Sequence, residues 1–412
     1  MIERKEKLFV NNFSAEEIKE KYGTPLYVYD RETIEKQYEK LEGEFSKRYN
    51  NFSVSYAVKA NPNPSIAEVL VEKGAGLDCA SMAEIDLALK LDVPSEKIIY
   101  TAPFNTEEEL EYAVSKDVTV NLDAVYLLDK MSETPERVSF RIDPGIGKGD
   151  FGLVLGGGSK FGISEEEAIK GYKKAKERGV ERFGIHMMTG SGILDPEYFG
   201  EAAAKLLEIA GKIKEETGIE FEFIDIGGGL GIPYRPEEKA LDIEETAEKT
   251  VEKFKQGLDK HGLESPELRI EPGRYLVAQS GILLSKVVGV KQKQKEFIGI
   301  DTGMNHFIRP MLYDAYHEVL VANDLERETG SKKDVVGQVC ENTDVVAEER
   351  ELPELVEDDL VAIMDVGAYG FAMASNWNTR PKPPEVLVDG SELKLIREGQ
   401  ERRDVFHGTE LE

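Results

Sequence analysis

The stretch "IDIGGGLGIPY", Ile224 to Tyr234, runs from a β-like end straight into three consecutive glycines. Where such a turn falls along the chain separates two folds that both alternate strands with helices. A doubly wound sheet carries its glycine-rich fingerprint after the first strand. Here the most glycine-rich turn that directly follows a strand comes after the seventh. Counted outward from it, β-rich runs occupy Ser53–Val58, Gly76–Cys79, Ile98–Thr101, Val118–Leu122, Val138–Ile142, Phe183–Met188, Phe221–Ile226 and Leu268–Glu271. Charged segments with apolar residues at three- and four-residue spacing separate them, among them "EEELEYAVSK" and "PEYFGEAAAKLLEIAGKIKEETG". Eight strand–helix units in roughly 220 residues predict a (β/α)8 TIM barrel, of the α/β class.

Beyond Glu271 the pattern changes. "GILLSKVVGVKQ", "EFIGIDTG", "DLVAIMDVG" and "PEVLVDG" are β-like runs separated by turns, with few long helical patterns. They predict a C-terminal β-rich, barrel-like domain, and "TPLYVYD" near the start is placed to add a strand to it. The expected organisation is an N-terminal segment, 1–35, joining the β-rich domain, a barrel over 36–273, and the β-rich domain over 274–412. "GKGDFGLVLGGGSKFG", residues 147–162, reads equally well as a surface excursion or as a functional loop.

Composition narrows the function classes. The 412 residues carry 80 acidic against 52 basic side chains, a formal charge of −28. That balance argues against a nucleic-acid partner and against an anionic membrane. The opening "MIERKEKLFV" lacks the apolar stretch of a signal peptide, and no run approaches a membrane span. Cys79 and Cys340, far apart, make no disulfide framework, so a cytoplasmic location is expected. No zinc-type spacing occurs among these cysteines and the five histidines, and no metal site is read.

In barrels, reactive groups gather where strands end, and phosphate commonly sits at the loops after strands seven and eight. Lys59, in "SYAVKANPNP", closes the first strand. Gly227, Gly228 and Gly229 follow the seventh and leave the backbone open to an anion. Glu271 and Arg274, in "IEPGRYL", follow the eighth, and Ser191, in "HMMTGSG", follows the sixth. A lysine facing anion-binding loops describes a Schiff-base lysine near a phosphate. Two chemistries fit: an aldolase-type barrel acting on a phosphorylated substrate, or pyridoxal 5'-phosphate (PLP) held through its phosphate and that lysine. The β-rich second domain and Glu271 favour PLP, because a carboxylate beside the pyridine nitrogen keeps it protonated.

"YAVKAN", "SKFGI", "GGGLGIPY", "EPGRYLVAQSG", "CENTD" and "GAYG", in this order, closely resemble the fold-type III PLP-dependent decarboxylases, and among them the diaminopimelate decarboxylases. The resemblance runs from "TPLYVYD" to "RPKPPEVLVDG". It implies that Lys59 holds the cofactor covalently, that Gly227–Gly229 and Ser191 take its phosphate, and that Glu271 pairs with the pyridine nitrogen. Asp78, His186, Gly273, Arg274 and Tyr369 would complete the cofactor site. Arg274, Arg309 and Tyr313 (in "IRPMLY"), Glu341 and Tyr369 would bind an amino-acid substrate, with Glu341 gripping its distal ammonium. Cys340 would return a proton to the carbanion. The family is dimeric, so a homodimer with shared sites is expected, Cys340 and Glu341 reaching the partner chain. The implied reaction is decarboxylation of meso-2,6-diaminopimelate to L-lysine.

Other readings stand beside these. Cys340 alone reads as a small buried hydrophobe, the arginines as surface ion pairs and the tyrosines as core aromatics; Glu84, in "GLDCASMAEI" with Asp78, matches a family stretch lining the cofactor and equally reads as a helix-face charge. The family's His-x-His-x-Gly-Ser stretch has Met188 at its second histidine, the one that stacks on the PLP ring, and keeps the first as His186. The usual "CESGD" is "CENTD", with Asn342 and Thr343 beside Glu341. These departures leave open a decarboxylase of another basic or amino-acid-like substrate. A non-catalytic PLP-binding homologue is the reading from a different class, although such proteins typically lose the lysine or the cysteine.

Overall fold

A computed structural model describes residues 1–149 and 159–410, so residues 150–158 of the glycine-rich stretch 147–162 lie outside the described residues. The chain forms two compact units, one of Gln37–Pro233 with Lys239–Tyr275, the other of Met1–Lys36, Tyr234–Glu238 and Leu276–Glu412.

The first unit is a closed barrel of eight parallel strands: β1 (Phe52–Ala57), β2 (Gly76–Cys79), β3 (Ile98–Thr101), β4 (Thr119–Leu122), β5 (Arg137–Ile142), β6 (Arg182–Met187), β7 (Phe223–Asp225) and β8 (Glu267–Ile270). Each pairs with its successor, and β8 closes on β1 through Leu268–Phe52, Arg269–Ser53 and Ile270–Val54. Strands covered on both faces read as near-continuous apolar runs. That is why "IIYT" and "FID" are strands without a polar face. Within this buried layer stand Asp78, Asn121, Ser139, His186 and Asp225, all nearly inaccessible. Such residues weaken a core unless they are paired or put to use.

Local chemistry fixes the connections. Helix α1 (Pro196–Thr217) starts with Asp195 accepting from the Glu197 N–H and with proline at its first turn, and ends at Gly218, φ +63°. Helix α2 (Ile243–His261) repeats the device with Asp242 and with Gly262, φ +60°. Strand β1 ends at Ala57, one residue sooner than its composition predicts, and Val58–Ala60 coil into a short 3-10 turn. Just beyond it the Asn61 side chain accepts from the Asn63 N–H at 3.1 Å, and that of Asn63 from the Ser65 N–H at 3.1 Å. These Asx turns end the extended backbone, and Pro64 opens the next helix.

The second unit is β-rich. Its long strand β9 (Gly281–Gln292) pairs with β10 (Glu296–Ile300) and with β11 (Leu360–Ile363). The N-terminal strand Leu26–Asp30 is antiparallel to β9 and parallel to β12 (Glu385–Asp389), so the first residues of the chain complete a sheet built mainly from the last third. One core joins them: Leu26, Val28, Ile282, Leu284, Leu360, Ala362, Val386 and Val388 are all buried together. Burying each large aliphatic side chain contributes about 1.5–3 kcal/mol, which is what holds a strand some 250 residues away in sequence in place.

Candidate active site

The ends of β1, β2, β6, β7 and β8 bring together most of the barrel residues picked out from sequence. Lys59 sits on the 3-10 turn just past β1, and its Nζ donates to Asp78 Oδ2 at 2.5 Å. Its side chain is about half exposed while that of Asp78 is buried, so the lysine reaches inward from the rim (47% against 1%). From β6, His186 Nε2 lies 3.0 Å from Glu271 Oε2, just past β8, and both are buried.

Three buried carboxylates therefore share this end of the barrel. Burial, with the charge of Glu271 behind it, pushes Asp78 up; the same two causes push Asp225 well above the ordinary carboxylate range. Burial also works to raise Glu271, but His186, Lys59 and Arg141 outweigh it and hold Glu271 below its usual value. Of the three, Glu271 is the carboxylate whose surroundings favour the charged form. Four atoms here are buried without a hydrogen-bond partner among the described residues: Asp78 Oδ1, His186 Nδ1, Asp225 Oδ2 and Glu271 Oε1. Buried polar atoms left unpaired cost about 1–3 kcal/mol each, so they mark a place built to meet another group. The ligating atoms of His186, Asp225 and Glu271 lie within 4.8 Å of one another, so the donor set by itself also suits a cation.

At the loops after β6 and β8, Arg274 Nη2 donates to Ser191 Oγ at 3.3 Å. The triple glycine is explained first by packing. A Cβ on Gly228 would meet the Glu271 carbonyl oxygen at 2.2 Å, and one on Gly229 that of Gly190 at 2.6 Å. Two of the loop amides are used within the chain: the Gly227 N–H donates to Asp225 Oδ1 at 2.8 Å, the Gly228 N–H to Met188 Sδ at 3.2 Å. Met188 thus braces the glycine loop, a contact its replacement of a histidine did not announce. Gly273 also acts by its lack of a side chain, since a Cβ there would stand 2.8 Å from that of Ala60, on the turn that carries Lys59. Glu84 is a cap: it accepts the Ala80 N–H at 2.6 Å at the start of its helix.

The remaining candidates belong to the β-rich unit. Arg309 opens the short helix α3 (Arg309–Tyr313) and is 1% exposed, so it is no surface ion pair. Its guanidinium lies over the rings of Tyr234 (5.4 Å) and Tyr369 (5.9 Å). Tyr369 takes a left-handed backbone, φ +57°, a strained conformation that a non-glycine residue keeps only where its surroundings impose it. Tyr313, at the end of α3, is half-buried. Cys340 and Glu341 lie on an exposed turn, which removes the reading of Cys340 as a buried hydrophobe; Cys79 is the buried cysteine. The turn is held by residues that sequence reasoning missed. Asn378 Oδ1 accepts the Cys340 N–H at 2.6 Å, and buried Asp344 accepts those of Met304 and Val339 at 2.6 and 2.7 Å. Asp344 closes "CENTD" and Asp225 interrupts an apolar strand, so both left a signal; Asn378 left none.

Comparison with known proteins gives a consistent picture. The pyridoxal-binding domain of the pyridoxal-dependent decarboxylases matches residues 31–278. The chain is 44% identical to a diaminopimelate decarboxylase of Methanothermobacter thermautotrophicus over 98% of its own length and 96% of the relative's. It is similar to the crystal structure of a diaminopimelate decarboxylase from Methanocaldococcus jannaschii, with TM-score 0.92 and 32% identity, covering 100% of this chain and 98% of that one. A diaminopimelate decarboxylase from Helicobacter pylori solved with L-lysine gives TM-score 0.86 at 34% identity, covering 95% and 98%.

The Gly273 contact generates a test. Gly273→Ala must displace the Ala57–Ala60 turn, so stability should fall by about 1–3 kcal/mol, and borohydride in the presence of PLP should label Lys59 less completely than in wild type. Thermal denaturation and peptide mapping read both; unchanged labelling would show that the turn has room to spare.

Proposed function

This chain belongs to the pyridoxal-dependent decarboxylases, and we propose that its reaction is the decarboxylation of meso-2,6-diaminopimelate to L-lysine and CO2. The observation that carries the reading is the charged, buried Glu271 held by His186 beside Lys59. The unpaired Glu271 Oε1 and the Ser191–Arg274 pair fit PLP at its two ends, as a carboxylate for a pyridine N–H and as donors for a phosphate. Bound PLP supplies an electron sink for the pair released when the bond between Cα and the carboxylate breaks.

The chain's own residues do the rest. Lys59 holds the cofactor from the β1 end, and Asp78, which accepts from its Nζ at 2.5 Å, orients the amine. Glu271 keeps a negative charge where a protonated pyridine nitrogen needs one, and His186 fixes the plane of that carboxylate. Ser191 and Arg274 take the phosphate, with the Gly227–Gly229 loop as the close wall that admits it. Arg274, Arg309 and Tyr313 receive the substrate's carboxylate, Tyr369 touches cofactor and substrate, and together they hold the scissile bond in line with the sink. Glu341 selects for a distal ammonium, and the Cys340 thiol delivers a proton to Cα after CO2 has left.

We take the barrel domain as 36–273 and the β-rich domain as 274–412 joined by 1–35; the compact units divide close by, near Lys36 and Leu276. We also take the active form to be a homodimer whose sites combine Lys59 of one protomer with Cys340 of its partner, in keeping with the exposed turn that displays Cys340. A reducing cytoplasm suits the two unbridged cysteines.

Two experiments test this function. Purified protein with PLP, offered a panel of basic amino acids, should release CO2 from meso-diaminopimelate in preference to lysine, ornithine or arginine, with L-lysine as product. A preference for another amino acid would move the assignment to a sister activity, for which Asn342 and Thr343 would be the first residues to examine. For the shared site, Lys59→Ala and Cys340→Ala should each be nearly inactive. Refolded together in equal amounts, they should recover roughly a quarter of wild-type activity, since half the dimers are mixed and each has one intact site. Demonstrated subunit exchange with no recovery would place both residues in one chain's site.

A further inference from the structure

Arg309 is a fully buried guanidinium, and its environment specifies how it must point. Its Nε–H donates to His317 Nε2 at 3.3 Å, and its Nη2 to the Tyr234 hydroxyl at 3.5 Å. His317 is itself 1% exposed and gripped from both sides: its ring meets that of Phe307 edge-on, centroids 4.6 Å apart at 87°, and that of Tyr234 at 4.9 Å. On the far side, His317 Nδ1 lies 2.8 Å from the Met364 carbonyl oxygen.

These contacts determine the ring's protonation pattern. A backbone carbonyl can only accept, so Nδ1 must carry the hydrogen. A guanidinium can only donate, so Nε2 must present its lone pair. Both bonds exist together in a single form, the neutral Nδ1–H tautomer. Arginine carries its donors in a rigid planar fork, so fixing the Nε edge orients the whole group. Met364 follows directly from β11, and its carbonyl therefore ties the orientation of Arg309 to the core sheet of the β-rich unit.

We propose that His317 is a positioning residue that acts through Arg309, its neutral Nδ1–H tautomer aligning the guanidinium for the substrate's carboxylate. The proposal rests on the reading of Arg309 as a carboxylate-binding residue. His317 touches neither substrate nor cofactor in this account; it removes the rotational freedom that a long side chain would otherwise lose on binding.

The tautomer and the coupling can be measured separately. In protein carrying 15N-labelled histidine, the imidazole signal that disappears in His317→Asn should show a protonated Nδ1 and an unprotonated Nε2 at neutral pH. A charged ring or the Nε2–H tautomer would overturn the proposal. In steady-state kinetics, His317→Asn keeps a donor for Met364 but loses the acceptor for Arg309, so KM for diaminopimelate should rise about tenfold while kcat changes far less. His317→Gln, whose amide oxygen can reach the Nε2 position, should recover part of the loss, and it keeps the test alive if the asparagine variant folds poorly. In an Arg309→Ala background, His317→Asn should add nothing further to KM. If Arg309→Ala raises KM and His317→Asn raises it again by the same factor, the proposal fails and the reading of Arg309 survives. If Arg309→Ala leaves KM unchanged, both fall.

Discussion

One end of the barrel buries three carboxylates, and the rest of the site depends on how their surroundings treat each charge. Asp78, Asp225 and Glu271 lie too deep to be ionised together without compensation, because burial and mutual repulsion both favour the protonated form. At Glu271 the attraction of His186, Lys59 and Arg141 outweighs burial; at Asp78 the same Lys59 and His186 do not offset burial and the repulsion of Glu271. Asp78 and Asp225 are driven the other way. A packed core would gain stability by replacing this cluster with aliphatic residues. That the chain keeps it, with several atoms unpaired, is the strongest internal sign that this end of the barrel serves chemistry.

Around the cluster, small residues matter as much as charged ones. Gly228 and Gly229 let the loop after β7 lie directly on the strands' exits, and Gly273 makes room for the turn that carries Lys59. Asp344 and Asn378 do the corresponding work for the Cys340 turn by holding backbone amides. In each case the reactive side chain is exposed enough to act, while its backbone is fixed by contacts that leave little choice of position.

The barrel was legible because strands buried on both faces write themselves as short apolar runs, and "FGIHM" or "FEFID" needs no alignment to be read as one. The lysine at the exit of the first strand was legible too, although its place on a 3-10 turn depends on Asx bonds that composition does not display. Individual site residues could be named; their pairings could not. His186 and Glu271 lie 85 positions apart and meet only through the stagger of strands around the barrel. The triple glycine suggested an anion, and its first physical cause is a close approach of backbones that only coordinates reveal. Roles for Arg309, Tyr369 and Cys340 came from resemblance alone, since an arginine in "IRPMLY" carries no periodic or charge signal of its function. His317 and Asn378 were invisible, because their importance lies wholly in what they touch.

The central claim is that the site is built to hold negative charge on Glu271, and Glu271→Gln tests it most directly. The amide keeps the shape and a hydrogen-bonding oxygen but cannot carry the charge. PLP should still bind, with affinity changed only modestly, while kcat for diaminopimelate should fall by about 10²–10³-fold, the loss typical of removing a preorganised electrostatic contact. A Glu271→Gln enzyme that binds PLP and turns over at the wild-type rate would contradict it.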